Sequence, residues 1–260
     1  MLSPELVAQA SAAWLWYPDD ATVVDTDDYL LVRWPSYFAS APEVIRFSPR
    51  GDVAATLDEV LGRARAWDVD ALICWVKLDA PAGYEELLQR RGATPAETVD
   101  VFARDLARGV PDLAPPDDLR VAWRHDLRTS RDCAAVSVAA FEEGTVPDDE
   151  TLLRLAREAE TDRLAGRGGE VIVYDGDTAI GTGGLTMAGT TARLWGAGVL
   201  PEARGRGAYR AVLAARLDYA VAHGATLALV KGRVKTSGPI LRRAGFEAFG
   251  QERSYRLPLM

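Results

Sequence analysis

Residues 200–209 read LPEARGRGAY. A run rich in β-forming residues precedes them, and Leu213, Leu217 and Val221 follow at the spacing of one helix face. The stretch therefore predicts a strand end, a glycine-rich turn and a helix start in immediate succession. Glycines leave backbone amides uncovered, and a helix N-terminus adds unpaired N–H groups with about half a positive charge. The sequence thus predicts an anion site that suits phosphate.

The flanking segments extend this pattern on both sides. Three β-like segments precede the turn and form a predicted antiparallel meander: Glu170–Tyr174, Thr178–Met187 and Thr191–Leu200. After the helix come a predicted strand at Leu227–Val230 and a predicted helix that ends at Gly245. The segment from Phe246 to Leu259 can hold two short strands with a turn near Gly250. The order of elements therefore predicts an α/β (α+β) fold.

In this order, residues 119–260 resemble the Gcn5-related N-acetyltransferase (GNAT) family, whose RxxGxG/A loop binds the pyrophosphate of acetyl-coenzyme A. Arg204, Gly205, Arg206 and Gly207 fit that loop, whereas Tyr209 stands where the family usually has glycine or alanine. The Gly-Phe pair at 245–246 matches a second family feature. An ordinary solvated Arg/Gly-rich turn is the alternative interpretation of the loop.

The resemblance implies a mixed, mostly antiparallel central sheet flanked by helices, and a strand bulge that Gly196-Ala197-Gly198 can form. A backbone amide near Val199 would polarise the thioester carbonyl. Tyr209 would contact the cofactor or pack under the loop, and Lys231, Arg233 and Lys235 would bind the adenosine phosphate or form a solvated loop. The implied cofactor-binding residues are Gly198, Val199, Leu200, Arg204, Gly205, Arg206, Gly207, Ala208 and Tyr209.

The catalytic groups are less evident in the sequence. An alkylamine has a pKa near 10.4, so a base helps to form the nucleophile at neutral pH. Where relatives carry a glutamate, this chain has Trp195 or Gly196, so Glu142 and Glu143 are the substitute candidates, with solvated surface carboxylates as the alternative. Leu241 occupies the position where relatives often carry a tyrosine that protonates the leaving thiolate. Ser237 is the nearest hydroxyl, and a helix N-cap is its other interpretation.

The length of 260 residues predicts two domains, with a boundary near residue 115 in a Pro-, Gly- and Asp-rich connector. Residues 116–260 would form the GNAT domain that binds acyl-CoA and catalyses the reaction. Residues 1–115 would form a partial, degenerate copy. A predicted strand at Val44–Phe47, a helix after Gly51, a strand at Ala71–Val76 and a helix at Tyr84–Arg91 repeat the order of the second copy. The helix after Gly51 pairs with the helix after Gly207, and Arg90-Arg91-Gly92 pairs with Arg243-Ala244-Gly245. A generic strand-helix unit is the alternative. The short loop at 48–52 predicts that this copy lost cofactor binding.

Composition limits the remaining functions. A net charge of −8 argues against nucleic acid and anionic membranes as partners, and no apolar run is long enough to span a bilayer. Two cysteines and two histidines form no metal motif, and the absence of a signal peptide predicts a cytoplasmic protein. The oligomeric state stays open. Aromatic residues crowd the N-terminal segment, where they would form core or line a cleft: Trp14, Trp16, Tyr17, Trp34, Tyr37 and Phe38.

These observations predict an N-acyltransferase with acetyl-CoA as co-substrate and no metal. It would move an acetyl group to a primary amine of a small molecule by direct attack in a ternary complex. A non-enzymatic acyl-CoA-binding sensor or partner-binding protein is the alternative, because the family's glutamate and tyrosine are missing. The acceptor and the acyl length are not evident in the sequence.

Overall fold

The computed structural model describes residues 2–38 and 40–259, which form two compact units. Unit 1 consists mainly of residues 102–231 and 240–247, and unit 2 of residues 3–101, 232–239 and the C-terminal segment from residue 248. Both units are discontinuous in sequence. A functional boundary near residue 115 stays a prediction.

The described residues contain seven α-helices and eleven β-strands. The helices are α1 (Pro4–Ala12), α2 (Val53–Arg65), α3 (Tyr84–Arg90), α4 (Leu127–Phe141), α5 (Asp149–Leu164), α6 (Ala208–Ala222) and α7 (Ser237–Arg243). The strands are β1 (Thr22–Asp25), β2 (Tyr29–Arg33), β3 (Glu43–Phe47), β4 (Ala71–Val76), β5 (Thr94–Asp105), β6 (Leu119–Trp123), β7 (Gly168–Asp175), β8 (Thr178–Ala188), β9 (Thr191–Val199), β10 (Leu227–Arg233) and β11 (Glu247–Pro258).

In unit 1 the strand order is β5-β10-β9-β8-β7-β6, with β6 to β9 as an antiparallel meander and β9 parallel to β10. Helix α6 buries Leu213 and Leu217 against one face of these strands. Helix α4 covers the other face, where Cys133 and Val136 pack on Ile172. The predicted meander, and the helix that follows the glycine turn, are therefore confirmed.

In unit 2 the strand order is β1-β2-β3-β4-β11-β5, and β3 is parallel to β4. Helices α2 and α3 bury Leu57 and Leu88 against the face that Leu31, Val44 and Cys74 present. The predicted order of strand, helix, strand and helix is present as β3, α2, β4 and α3.

The two predicted repeats end their second helices in the same way. After α3, the Gly92 N–H donates to the Gln89 carbonyl and the next N–H donates to the Leu88 carbonyl. After α7, the Gly245 N–H donates to the Arg242 carbonyl and the next N–H to the Leu241 carbonyl. Both glycines have positive φ, +83° and +75°, which glycine adopts at little cost at a helix end. The shared geometry supports the internal repeat.

The expectation of two short strands after Phe246 is wrong. Residues 247–258 form the single strand β11, which pairs antiparallel with β4 from Arg253 opposite Val76 to Pro258 opposite Ala71. Gly250 does not turn the chain. Its φ is +139°, and an added Cβ would lie 2.7 Å from Leu78 Cδ2, so glycine here permits close approach inside a strand.

The predicted fold class is confirmed: the sheet is mixed and mostly antiparallel, with helices against it. In the described part of the chain, no helix has the length and apolar character needed to cross a bilayer. Over the same residues, no group of three His, Cys, Asp or Glu side chains could hold a metal ion. Both cysteines are buried free thiols.

Candidate functional site

Strand β9 contains a bulge and separates from β10 at that point. Trp195 pairs with Gly184 and Gly198 pairs with Thr182, so two residues of β9 face one of β8. Gly196, inside the bulge, has φ +59°. The parallel pairing of β9 with β10 runs from Thr191 opposite Leu227 to Leu194 opposite Val230 and ends just before the bulge. The bulge predicted at residues 196–198 is confirmed, and beyond it the edge of β9 on the side of β10 is open.

The orientation of the β9 amides follows from one hydrogen bond. The Leu200 N–H donates to the Ile180 carbonyl of β8 at 3.0 Å. Because N–H groups alternate between the two edges of a strand, the Val199 N–H points away from β8, toward the open edge. The resemblance implies a backbone amide near Val199 as the donor to a thioester carbonyl, and the orientation of the Val199 N–H is compatible with that prediction.

The turn after β9 leads directly into α6. Residues 201–203 form one 3₁₀ turn, and Gly205 and Gly207 follow with φ +82° and +86°. Gly207 is the N-cap residue of α6, and no side chain caps the helix. An added Cβ at Gly205 would meet nothing within 4 Å, whereas one at Gly207 would lie 2.5 Å from Pro116 Cγ. The first amides of α6 are thus uncapped, and open space adjoins Gly205.

The arginines of the turn differ in their contacts. Arg206 forms an ion pair with Asp175, and Arg210 donates to the Leu113 carbonyl at 3.2 Å. Arg204 is exposed. Asp175 offsets part of the positive charge on one side of the turn, so the amides and Arg204 make up most of its attraction for an anion.

Tyr209 faces inward. It packs on the core that contains Leu213 and Leu217, and burial raises the pKa of its hydroxyl. Its side chain lies beside the guanidinium of Arg216. Of the two roles considered for Tyr209, packing under the loop agrees with this position.

Arg216 is a site residue that the sequence did not indicate. It is fully buried, and burial lowers its pKa. Its Nη1 donates to the carbonyls of Gly184 (3.1 Å) and Trp195 (3.3 Å), the two residues paired at the start of the bulge. Its Nη2 is buried and makes no hydrogen bond within the described residues. Arg216 therefore stabilises the bulge from the α6 side; the only sequence signal was an arginine on an otherwise apolar helix face.

Gly198 places α4 close to the bulged strand. An added Cβ there would lie 2.7 Å from Ala140 Cβ and 3.3 Å from Phe141 Cε2. Glu142 follows as the C-cap of α4 with φ +58°, and Glu142 and Glu143 are exposed. The loop that carries both candidate bases therefore starts beside the strand that contains Val199, but neither carboxylate is buried.

In contrast to Glu142 and Glu143, the carboxylate of Glu170 in unit 1 is buried. Glu170 of β7 pairs with Arg124 at 2.7 Å and accepts a hydrogen bond from Thr182 at 3.3 Å. These two contacts occupy its oxygens, so it is a structural group rather than an available base.

Ser237, Arg233 and Lys235 lie in the part of the chain assigned to unit 2, whereas Lys231 is the last residue of the main segment of unit 1. Ser237 is the first residue of α7, and its hydroxyl donates to the Arg233 carbonyl at 3.3 Å. The N-cap interpretation is therefore wrong, because Ser237 lies inside the first turn and donates to the preceding backbone. Arg233 pairs with Glu97 at 2.8 Å. A phosphate-binding role for Lys231, Arg233 and Lys235 stays a prediction.

Several known proteins have this architecture. A GCN5-related N-acetyltransferase from Kribbella flavida superposes with TM-score 0.67 at 18% identity, covering 99% of this chain and 96% of its own. A tandem GNAT protein from the clavulanic acid biosynthesis pathway, solved without acetyl-CoA, gives 0.65 at 16% identity, covering 98% and 88%. A GCN5-related N-acetyltransferase from Sphaerobacter thermophilus gives 0.67 at 16% identity, covering 91% and 82%.

These identities show a shared fold alone, and it includes the tandem arrangement. A comparison with curated proteins gives no match. The model of the acetyltransferase (GNAT) family matches residues 123–245, which include the bulged strand, the glycine turn and α6, whereas the N-terminal part has no such match. The matched residues make up just under half of the chain, and over this part the sequence is similar to the acetyltransferase (GNAT) family.

Proposed function

We propose that this protein is an N-acyltransferase that moves an acetyl group from acetyl-CoA to a primary amine of a small molecule. The observation that supports it most is the uncapped N-terminus of α6, which follows a glycine turn at the end of a bulged strand with an open edge. The match of residues 123–245 to the GNAT family model also favours the use of acyl-CoA. The turn suits the pyrophosphate, because uncapped amides and a helix dipole favour anions.

The proposed reaction is a direct attack within a ternary complex. The neutral amine nitrogen forms a bond to the thioester carbonyl carbon, the carbon–sulfur bond breaks, and coenzyme A leaves as a thiolate. The nitrogen loses one proton as the amide forms and the thiolate takes up one proton, so this step releases no net proton. The Val199 N–H would donate to the carbonyl oxygen, on which negative charge develops. Gly198, Val199 and Leu200 would line the pantetheine arm, and residues 204–209 would hold the pyrophosphate.

Proton transfer would depend on groups near solvent. Glu142 or Glu143 would accept the ammonium proton directly or through water, because their loop starts beside Gly198. Leu241, at the position of the family's tyrosine, is fully buried, and its side chain has no ionisable proton to donate. A thiol with a pKa near 8.5 needs little help to leave, so water or Ser237 would protonate the thiolate.

The first copy would not bind acyl-CoA. At the corresponding turn, Asp52 caps α2 by accepting from the Ala55 N–H at 2.8 Å, which places a carboxylate where a phosphate would sit. We therefore assign acyl transfer to residues 116–260 and a structural or substrate-covering role to residues 1–115. The two buried thiols suit a reducing cytoplasm.

A second candidate is a protein that binds acyl-CoA without turning it over. The buried Leu241, and Trp195 or Gly196 at the position where many relatives carry glutamate, favour it. The Trp195 ring covers Gly184 and its indole N–H donates to Thr186 at 3.0 Å, so it supplies no base.

A thiol-release assay separates the two candidates. Acetyl-CoA is incubated with the protein and a panel of small primary amines, and free coenzyme A is measured with a thiol reagent. If the protein is an enzyme, coenzyme A is released with at least one amine of the panel, at a rate proportional to protein concentration. The double variant Glu142→Gln/Glu143→Gln should then have a lower kcat at neutral pH. Binding of acetyl-CoA without amine-dependent release across the panel would favour the non-enzymatic protein, and absence of binding would contradict both.

A further inference from the structure

One face of the unit 2 strands is polar and aromatic rather than aliphatic. Val44 of β3 and Cys74 of β4 point into the core under α2 and α3. Side chains alternate along a strand, so Glu43 and Trp75 point to the opposite face. The Trp75 indole N–H donates to Glu43 Oε2 at 3.3 Å.

An aromatic cluster lies on this same face. Trp34 packs on Val32 and Ile45. Trp16 stacks on Trp34 with ring centroids 6.1 Å apart, and Phe38 lies 5.3 Å from Trp34 and 6.0 Å from Trp16. Trp16 is 56% exposed. The interpretation of these residues as ordinary core is therefore wrong for Trp16, which presents an indole to solvent. The side chain of Tyr37 lies outside the described part.

Glu43 links the aromatic cluster to a negative charge. Its carboxylate lies beside the indole N–H groups of Trp75 and Trp34, and the Trp34 N–H is buried and has no acceptor within hydrogen-bond geometry among the described residues. Burial raises the pKa of Glu43 to about 7, and the nearby charge of Glu97 acts in the same direction. Arg233 pairs with Glu97 at 2.8 Å, and among the described residues no cation contributes to the pKa of Glu43. The charged form of Glu43 is therefore poorly compensated.

We propose that this face of unit 2 binds an organic cation, with Trp16 and Trp34 supplying cation–π contacts and Glu43 the counter-charge. Aromatic faces attract quaternary and protonated amines, and more strongly where water is excluded. An ammonium group would neutralise the Glu43 carboxylate. If the cluster were purely structural, the amide of a glutamine at position 43 could serve in place of the carboxylate. The site uses unit 2 residues alone, so it is independent of acyl-CoA and goes beyond the proposed acyl transfer.

Choline is a suitable probe because it is permanently charged and its quaternary nitrogen cannot accept an acyl group. Its uncharged carbon isostere, 3,3-dimethylbutan-1-ol, has the same shape. Each is titrated into the full-length protein at constant ionic strength, and tryptophan fluorescence and calorimetry report binding. We expect choline to bind saturably and the isostere to bind at least about tenfold more weakly. Equal affinities, or no saturable binding of choline, would overturn the proposal.

Choline affinities of variants test whether Glu43 and Trp16 form the binding site. Glu43→Gln should weaken choline about tenfold, and Trp16→Ala should weaken it several-fold with little effect on folding because the ring is mostly exposed. The matched control is Glu86→Gln, an exposed position on α3, which packs against the opposite face. Melting curves establish that each variant is folded. Unchanged choline affinity in both Glu43→Gln and Trp16→Ala would contradict the site.

The pH dependence gives a separate readout. Because Glu43 must be ionised to attract the cation, choline should bind several-fold more tightly at pH 8 than at pH 6 in the wild-type protein. The Glu43→Gln variant should lose this dependence. Affinity that does not change with pH in the wild type would remove Glu43 from the site.

Discussion

The two strand-turn-helix segments of this chain, β3 to α2 and β9 to α6, differ at the first turn of the helix. Asp52 caps α2 with its side chain, whereas Gly207 leaves α6 without a side-chain cap. In unit 2 the turn is satisfied further by Asp28, which accepts from the Arg50 backbone N–H at 2.9 Å. That bond lowers the pKa of Asp28. One turn supplies its own anions, and the other leaves its amides available.

The strands before these turns also differ. β9 has a bulge and parts from β10, and Arg216 supports the bulge from within the core. In β3, the irregularity lies in the pairing of β2 with β3, on the side away from β4. A repeated order of elements therefore preserves the fold, whereas the open strand edge and the uncapped helix together favour acyl-CoA in one segment alone.

The largest effect should come from removing the buried support of the bulge. Arg216→Met leaves the carbonyls of Gly184 and Trp195 unpaired, and an unsatisfied buried acceptor costs about 1 to 3 kcal/mol. We expect about 3 kcal/mol less stability in urea unfolding. Arg63→Met on α2, where the arginine is exposed and pairs with Glu59 at 3.7 Å, is the matched control and should change stability by less than about 0.5 kcal/mol. An Arg216→Met protein as stable as the wild type would show that relief of the buried charge outweighs the lost hydrogen bonds.

The next effect concerns the buried carboxyl of the first copy. The folded-state pKa of Glu43 is about 7, above its ordinary value of 4.5, so its stabilising contribution is present below about pH 4.5 and is lost as pH rises through 7. Glu43→Gln should therefore be more stable than the wild type at pH 8, by about 2 kcal/mol, and this advantage should shrink toward pH 5. Unfolding free energies measured at both pH values test this. A constant difference would contradict the raised pKa.

A smaller effect should follow from removing the cap of α2. Asp52→Ala should lower stability by about 1 kcal/mol, because one first-turn amide loses its acceptor, whereas Asp52→Asn should retain most of the cap. Neither change should create acyl-CoA binding at α2, since Asp28 still occupies the Arg50 amide. If the Asp52→Ala variant bound acetyl-CoA at a second site in calorimetry, the proposed difference between the two turns would be contradicted.

Much of the second copy could be predicted from the sequence because its signals are local. Valine and isoleucine alternation, the Asp-Gly turn at 175–176 and the glycines around Arg206 each determine the conformation of a few neighbouring residues. The helix after the turn and the GNAT resemblance follow from these signals, and the resemblance in turn implied the bulge. In the first copy, the sequence likewise indicated β3, α2, β4 and α3, whose apolar residues have clear periodicity.

The features that were missed depend on contacts distant in sequence. β11 lies between β4 and β5 in the sheet, and β4 pairs with its residues 253–258; the turn tendency of Gly250 gave no sign of these distant partners. Strands β1 and β2 and helix α5 were not identified from the sequence. The contacts of Arg216 depend on how α6 packs on the bulged strand, and the raised pKa of Glu43 depends on its burial in the folded protein; neither is encoded in the local sequence. The catalytic assignments of Glu142, Glu143 and Ser237 stay predictions.

Calorimetric titration with acetyl-CoA tests most directly the claim that the turn before α6 is the acyl-CoA site. Asparagine and aspartate both tolerate the left-handed conformation of Gly205, whose surroundings are open, and they differ by one charge. We expect Gly205→Asp to weaken binding about a hundredfold relative to Gly205→Asn. Gly51→Asp, at the corresponding open position of the first copy, should bind like the wild type. Wild-type affinity in Gly205→Asp would contradict the assignment of this turn.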